Sequence, residues 1–438
     1  MNLRHMVLHK TPIANRLLRQ LLLPALPALV IAWASLTATS VNAQSTPEQG
    51  AVLSLGQAVQ LTLEQHPQLG VFRHRREAYQ GLIEQVGVGE RPSVGFMVED
   101  FAGGGDYSDF GSAQSTLSIS WVAQSARIDS RIQAARASAS QVEIQQQVEA
   151  LDLAAETARL FIQALAEEQR IKLAQQAAQQ ARNTVAAIGK RIEAGNSPEF
   201  ERLQAEVELA QRELETEDLQ HMLSSTRYRL SAQWGGERDE FRLLGELFNV
   251  PALGNVEQQF EQLRQNPALA LLATQQRIVE SEIELARIEA RPQWQFSAGI
   301  RRFEASDDFG MVAGVSLPLG EDRSGIGKVR SLRAKQAEYA SESEMLQRRL
   351  DTQLYVLLQE IKHSQHVIET LRERIIPALN NAHAQATRAY ESGRLDYQQW
   401  TAILHKKLGA QQDLLSAFEA IHLQHIELQR LTGTTLTF

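Results

Sequence analysis

Cysteine is absent from the 438 residues, which excludes disulfide frameworks, thiolate metal sites, a cysteine nucleophile and a lipid-modified N-terminal cysteine. Proline is scarce at 12 residues, and aromatic residues make up only 6%. The length has room for about three ordinary domains, yet so thin a supply of bulky side chains fits a compact α/β enzyme poorly. Past the N-terminus, no window reaches the roughly 18 apolar residues that a membrane helix needs. Positive charge is not in excess either. The 44 Lys and Arg stand against 52 Asp and Glu, a net −8 that argues against nucleic acid as the main partner. Long stretches of Ala, Leu, Gln, Glu and Arg fill the chain instead, the composition of extended helices and coiled coils.

Residues 1–43 carry Arg4, Lys10, Arg16 and Arg19 and no acidic residue. An apolar run from Leu17 to Ala38 follows, interrupted by Pro24 and Pro27, and Val41-Asn42-Ala43 supplies small residues for a signal peptidase. This pattern predicts a signal peptide over 1–43, with cleavage after Ala43, in preference to a membrane anchor. Cleavage there removes four positive charges, leaving 40 basic against 52 acidic residues, or −12.

The second half of the chain repeats the first. His66-Pro67-Gln68-Leu69 is answered by Asn266-Pro267-Ala268-Leu269, and Arg91-Pro92 by Arg291-Pro292, both 200 residues on. Arg131–Ala137 aligns with Lys328–Ala334 at an offset of 197, and Glu193-Ala194-Gly195 with Glu391-Ser392-Gly393 at 198. Such a series reads as a duplicated structural unit, with one copy over 44–236, a linker over 237–252 and the second copy over 253–438.

Each copy reads as a helix, two short strands and a very long helix pair. Residues 53–88 and 256–290 are helical in composition, and each stretch stops before an Arg-Pro. Residues 125–194 contain no proline and one glycine, enough for a helix on the order of 105 Å. Leu151, Ala154, Ala158, Phe161 and Leu165 form a narrow packing stripe along it. Pro377 is expected to bend or weaken the corresponding helix of the second copy. Strands are expected near 93–101, 114–122, 293–303 and 310–319, where apolar and polar residues alternate. The alternation suits a membrane barrel or a soluble sheet. Ala-rich polar helices offer little for an apolar sheet face to cover, which favours the barrel. Four strands do not close in lipid, where about eight are the minimum, so the pattern implies an oligomer of at least two chains.

Motifs of chemistry are weak. Two His-x-x-His pairs, His363/His366 and His422/His425, put both imidazoles on one helix face; they suit a transient divalent-metal site or simply solvated helix positions, and the second reading is preferred. Gly325-Ile326-Gly327-Lys328 lacks the spacing of a phosphate loop and reads as a strand-to-helix turn. No nucleophile elbow or zinc-protease motif occurs, so neither enzyme activity nor a cofactor is expected. Gly195 and Gly393 suit helix reversals, and Ser197-Pro198 suits a cap and first position of the returning helix.

Taken with the duplication and the paired hairpins, the motifs Arg191-Ile192-Glu193-Ala194-Gly195-Asn196-Ser197-Pro198 and Arg388-Ala389-Tyr390-Glu391-Ser392-Gly393 resemble those of the TolC family of outer-membrane channels. Val98-Glu99-Asp100-Phe101 with Gly103-Gly104-Gly105, and Ser316-Leu317-Pro318-Leu319, are similar to the family's cobalt–zinc–cadmium resistance branch. The resemblance implies a mainly α fold with a β-barrel portion. Three copies would share a twelve-stranded barrel in the outer membrane of a Gram-negative cell, continued by a helical barrel in the periplasm. It also implies a passive exit duct for divalent heavy-metal cations, or else for drugs or secreted polypeptides; a soluble periplasmic coiled-coil scaffold is the reading outside this class. The implied partners are a periplasmic adaptor and an inner-membrane pump. The adaptor would dock at tip turns near 195–198 and 393–396, through Arg191, Gly195, Asn196, Ser197, Arg388, Gly393, Arg394 and Leu395. Family channels of the drug and secretion type carry aspartates six and nine residues after the second tip glycine. Here Gln399 and Ala402 stand at those positions, which leaves Glu199, Glu201 and Asp396 as candidates for an acidic aperture.

Overall fold

The structure is a computed structural model describing residues 52–237, 241–319 and 323–434. The expected signal peptide over 1–43 lies outside the described residues. The chain is mainly helical. It opens with a short strand β1 (Val52–Ser54) followed by α1 (Leu55–Gln65) and α2 (Pro67–Val86). Ser54 accepts the Gln57 N–H while the Gln57 side chain accepts the Ser54 N–H, a reciprocal cap that fixes the start of α1. The single helix expected over 53–88 is therefore corrected to a strand and two helices. The break falls at His66, whose extended backbone precedes Pro67 at the first position of α2.

Strands β2 (Ser93–Glu99) and β3 (Gln114–Val122) come next, then α3 (Ser125–Glu193), 69 residues or about 100 Å long. Helix α4 (Glu199–Ala232) returns alongside it. The joining segment contributes β4 (Arg242–Leu244), which pairs in parallel with β1. In the second copy α5 (Val256–Leu263) and α6 (Pro267–Glu289) replace the one helix expected over 256–290. Asn266 caps α6 at the break, accepting the Ala268 N–H at 2.8 Å, and donates to the Leu431 carbonyl at 2.8 Å. Strands β5 (Gln295–Phe303) and β6 (Asp308–Ser316) follow. Strand β6 starts earlier than expected because Asp308 and Phe309 pair with Phe303 and Arg302, leaving only 304–307 for the turn.

Helix α7 (Arg323–Thr370) already contains Gly325–Lys328, so the strand-to-helix turn expected there is corrected to helix. A π-helical turn, Leu371–Ile375, leads into α8 (Ile376–Glu391). The wider turn lies directly ahead of Pro377, whose ring would crowd the preceding carbonyls of a regular α-helix. Helix α9 (Tyr397–Thr432) closes the fold, and Gly433, at φ +67°, ends it.

The main core sits midway along the long helices. Phe161, Ile162 and Leu165 of α3 meet Leu354, Leu358 and Ile361 of α7 and Phe418, Ile421 and Ile426 of α9. Trp234, Phe241 and Leu247 of the joining segment cover this cluster. Full burial of each such side chain is worth about 1.5–3 kcal/mol, so this belt anchors helices whose remaining length has small residues at its contacts. Of the expected stripe, Ala154, Ala158, Phe161 and Leu165 are buried and Leu151 is half-buried.

The other four strands form one antiparallel sheet in the order β2-β3-β5-β6. Its register sorts the faces. Phe96, Leu117, Ile300 and Met311 lie in one row; Val94, Ile119, Ala298 and Ala313 in the next; Trp121, Phe296 and Val315 in a third. These residues share one face, and it is bare: Val94 is 73% exposed, Phe96 69% and Met311 92%. The other face carries Gly95, Ser118, Gly299, Ser120, Ser297 and Gly314.

Candidate functional site

The two helix reversals at the end remote from the sheet share one backbone device. After α3, Gly195 takes φ +71°, its N–H bonds to the Ile192 carbonyl at 2.9 Å, and the Asn196 N–H bonds to Arg191 at 2.8 Å. After α8, Gly393 takes φ +69°, its N–H bonds to Tyr390 at 3.0 Å, and the Arg394 N–H bonds to Ala389 at 2.9 Å. Both are left-handed helix terminations in which a Cβ would be strained.

The returning helices start differently. Asp396 caps α9 by accepting the Gln399 N–H at 2.7 Å. Ser197, expected to cap α4, does not. The cap position is taken by Pro198, and the Ser197 hydroxyl accepts from Arg191 Nε at 2.9 Å. Arg191 is the stronger competitor because a charged donor makes the better hydrogen bond.

Arg191 ties the two reversals together. Its other nitrogens donate to the carbonyls of Tyr390 at 2.9 Å, Glu391 at 3.4 Å and Asn196 at 3.2 Å. Its guanidinium also lies 4.5 Å from the centre of the Tyr390 ring. Beneath it Ile188, Ala205, Ala386, Tyr390, Tyr397 and Trp400 form a small separate core. The Tyr390 and Trp400 rings stack at 5.1 Å, and Trp400 Nε1 donates to Thr387 at 3.1 Å. The Tyr390 hydroxyl donates to Glu201 at 3.2 Å. Burial, with Glu208 and Glu201 nearby, pushes the Tyr397 phenol up to about 12, so both tyrosines stay neutral.

Each aperture candidate has a partner within the chain. Glu199 pairs with Arg202, which holds its carboxyl below the usual range, and Arg202 also reaches Glu206 at 2.6 Å. Glu201 accepts from Tyr390, and Asp396 is the cap of α9. Arg388, Gly393 and Arg394 are exposed, as are Gly195 and Asn196, and Leu395 packs against the small core. Sequence reasoning did not single out Tyr397 and Trp400; their i,i+3 spacing just after Gly393 is the signal that was there to find.

The two His-x-x-His pairs part company. His363 and His366 are exposed on α7. His422 and His425 are buried, which corrects the expectation of solvated positions. His422 Nε2 donates to the Leu247 carbonyl at 2.9 Å, and His425 Nδ1 to Ile421 at 2.9 Å. Burial lowers both imidazoles below their ordinary value. Among the described residues, no three His, Asp or Glu side chains converge to hold a metal ion.

Comparison with known proteins agrees with this geometry. Residues 58–236 match the family described as outer membrane efflux protein. The cobalt-zinc-cadmium resistance protein CzcC of Cupriavidus metallidurans is 26% identical over 248 residues, 56% of this chain and 59% of that protein. The match thus spans less than two thirds of that relative. Among solved structures, CusC superposes with a TM-score of 0.69 at 13% identity, over 90% of this chain and 96% of its own. VceC, an outer membrane protein of Vibrio cholerae, gives 0.68 at 15% identity, over 87% and 97%. Residues 58–236 thus match the outer membrane efflux protein family, and the chain as a whole shares the fold of CusC and VceC.

Proposed function

We propose that this chain is an outer-membrane exit duct for divalent heavy-metal cations, working as a homotrimer within a tripartite efflux system. The observation that carries the reading is the four-stranded sheet. One face is a continuous exposed apolar surface, and β2 and β6 are its edges. A sheet with open edges is untenable in lipid, and membrane barrels start at about eight strands. Three copies joined edge to edge give twelve. Strands of nine residues span about 30 Å, and a tilt near 40° brings that close to the roughly 25 Å apolar band of such barrels. Trp121, Trp294 and Phe296 stack at the helix-side rim, as barrel aromatics do at a membrane interface.

The duct is passive. Its helical end is held by Arg191 and the aromatic core beneath it. An adaptor binding Arg191, Gly195, Asn196, Ser197, Arg388, Gly393, Arg394 and Leu395 more tightly in a widened form would shift the equilibrium toward opening. Glu199, Glu201 and Asp396 line the approach and favour cations. Heavy-metal cations are the preferred cargo because the relative at 26% identity is a cobalt-zinc-cadmium resistance protein.

The test is a deletion strain challenged with cobalt, zinc and cadmium salts. Sensitivity reversed by the intact gene supports the reading. A strain as metal-resistant as its parent, but sensitive to organic toxins, contradicts the cargo.

A further inference from the structure

The polar face of the sheet is nearly without charge. From Ser93 to Met97 on β2, Thr116 to Val122 on β3, Gln295 to Gly299 on β5 and Gly310 to Ser316 on β6, it offers only Ser, Thr, Gly, Gln, Met and Val. Charge gathers in the last two rows at the loop end. Glu99, Gln114, Phe303 and Asp308 lie side by side, and beside them run Met97, Thr116, Arg301 and Gly310. Arg301 is the one cation on this face among the described residues, and neighbouring strands hold it firmly. Its guanidinium donates to Glu99 Oε2 at 3.0 Å, Gln114 Oε1 at 2.9 Å and Thr116 Oγ1 at 2.9 Å. Gln114 in turn donates to Asp100 at 2.7 Å. Thr116 is buried beneath this arrangement. A surface arginine would spend its rotamer freedom in water. This one is fixed by partners on β2 and β3.

We propose that Arg301 is a specificity-determining residue for permeation, the fixed cation of a charged collar at the loop end of the duct. The inference rests on the barrel reading above, which turns the polar face inward. Glu99 and Asp308 against Arg301 leave each chain one net negative charge in the collar, and a trimer three. Without Arg301 the same rows would present six carboxylates to a passing divalent cation. Conduction needs sites that attract an ion yet release it. Arg301 keeps the collar attractive to cations without letting it become a chelating ring.

The absence of cysteine makes the test direct. Ser118 lies on the same face two residues from Thr116 along β3, about 7 Å away and within the Debye length of about 8 Å at physiological salt. Ser118→Cys in intact cells is treated from outside with a cationic and an anionic membrane-impermeant methanethiosulfonate, and the ratio of reaction rates is read. Adding Arg301→Gln should raise the preference for the cationic reagent about threefold, the scale of one unit charge acting across water at this range on reagents of opposite sign. Adding Glu99→Gln should lower it, and the double change should return it toward the starting ratio. Labelling at equal ratios in all four backgrounds overturns the collar. Failure of the Ser118→Cys variant to label at all, in protein shown to be in the outer membrane, overturns the barrel reading instead.

Discussion

Arg191 and Tyr390 belong to different copies of the repeat. The guanidinium of the first lies 4.5 Å from the ring centre of the second and donates to its carbonyl at 2.9 Å. A single side chain thus fastens the end of α3 to the end of α8. Cutting it with Arg191→Ala removes the cation–π contact, worth about 0.5–2 kcal/mol, together with the hydrogen bonds to Ser197 and Asn196. The expected outcome is a higher single-channel conductance in planar bilayers with outer-membrane levels unchanged. Arg191→Lys should not restore the wild-type value, because an ammonium lacks the planar fork that reaches several acceptors at once. Wild-type conductance in both variants would count against the fastening.

Gly195 and Gly393 both sit in left-handed backbone. Valine at either position costs at least about 1–2 kcal/mol of local strain and distorts the reversal. Such a loss is too local to unfold a molecule anchored by its mid-helix core. The double variant Gly195→Val/Gly393→Val should reach the outer membrane yet fail in pump-dependent resistance, measured as the minimal inhibitory metal concentration. Full resistance would refute the tips as the docking surface.

His422 ties α9 to the Leu247 carbonyl of the joining segment and His425 bonds to Ile421 within α9, both while uncharged, since burial lowers both imidazoles. Below the ordinary imidazole value of about 6.5 an unfolded chain takes up protons that the folded chain refuses. Stability from this pair is therefore complete above that pH and falls as pH drops through it. Thermal unfolding followed between pH 7.5 and 5 should show a falling Tm. The slope should flatten in His422→Gln/His425→Gln. A Tm that rises on acidification in the wild type, or an unchanged slope in the variant, would contradict the assignment.

The two faces of the sheet should respond oppositely to charge. Ile119→Lys places an ammonium in the middle row of the apolar face, at a cost of about 2–4 kcal/mol if that face meets the bilayer midplane. Assembly in the outer membrane, scored by heat-modifiable mobility, should collapse. Ser120→Lys on the opposite face should assemble normally. Equal tolerance of both would remove the argument for lipid contact.

The strands were legible because a face that meets one medium and a face that meets another leave a period of two in the sequence. Proline and glycine marked the ends of the long helices for equally local reasons. The pairing of β1 with β4 was not legible, because three residues are too few to show a period and the partners are almost two hundred residues apart. The role of Arg191 left no trace either, since its main acceptors are backbone carbonyls, which any residue supplies. His422 and His425 misled for the opposite reason. Their spacing suggests an exposed helix face, whereas both are buried, His422 against the joining segment, whose path the local pattern does not reveal.

The mass of the detergent-extracted mature chain tests the central claim most directly. An edge-open sheet with a bare apolar face requires sister copies and lipid, so native mass spectrometry should find three chains that separate only on heating. A single chain, monodisperse in buffer without detergent, would contradict the account.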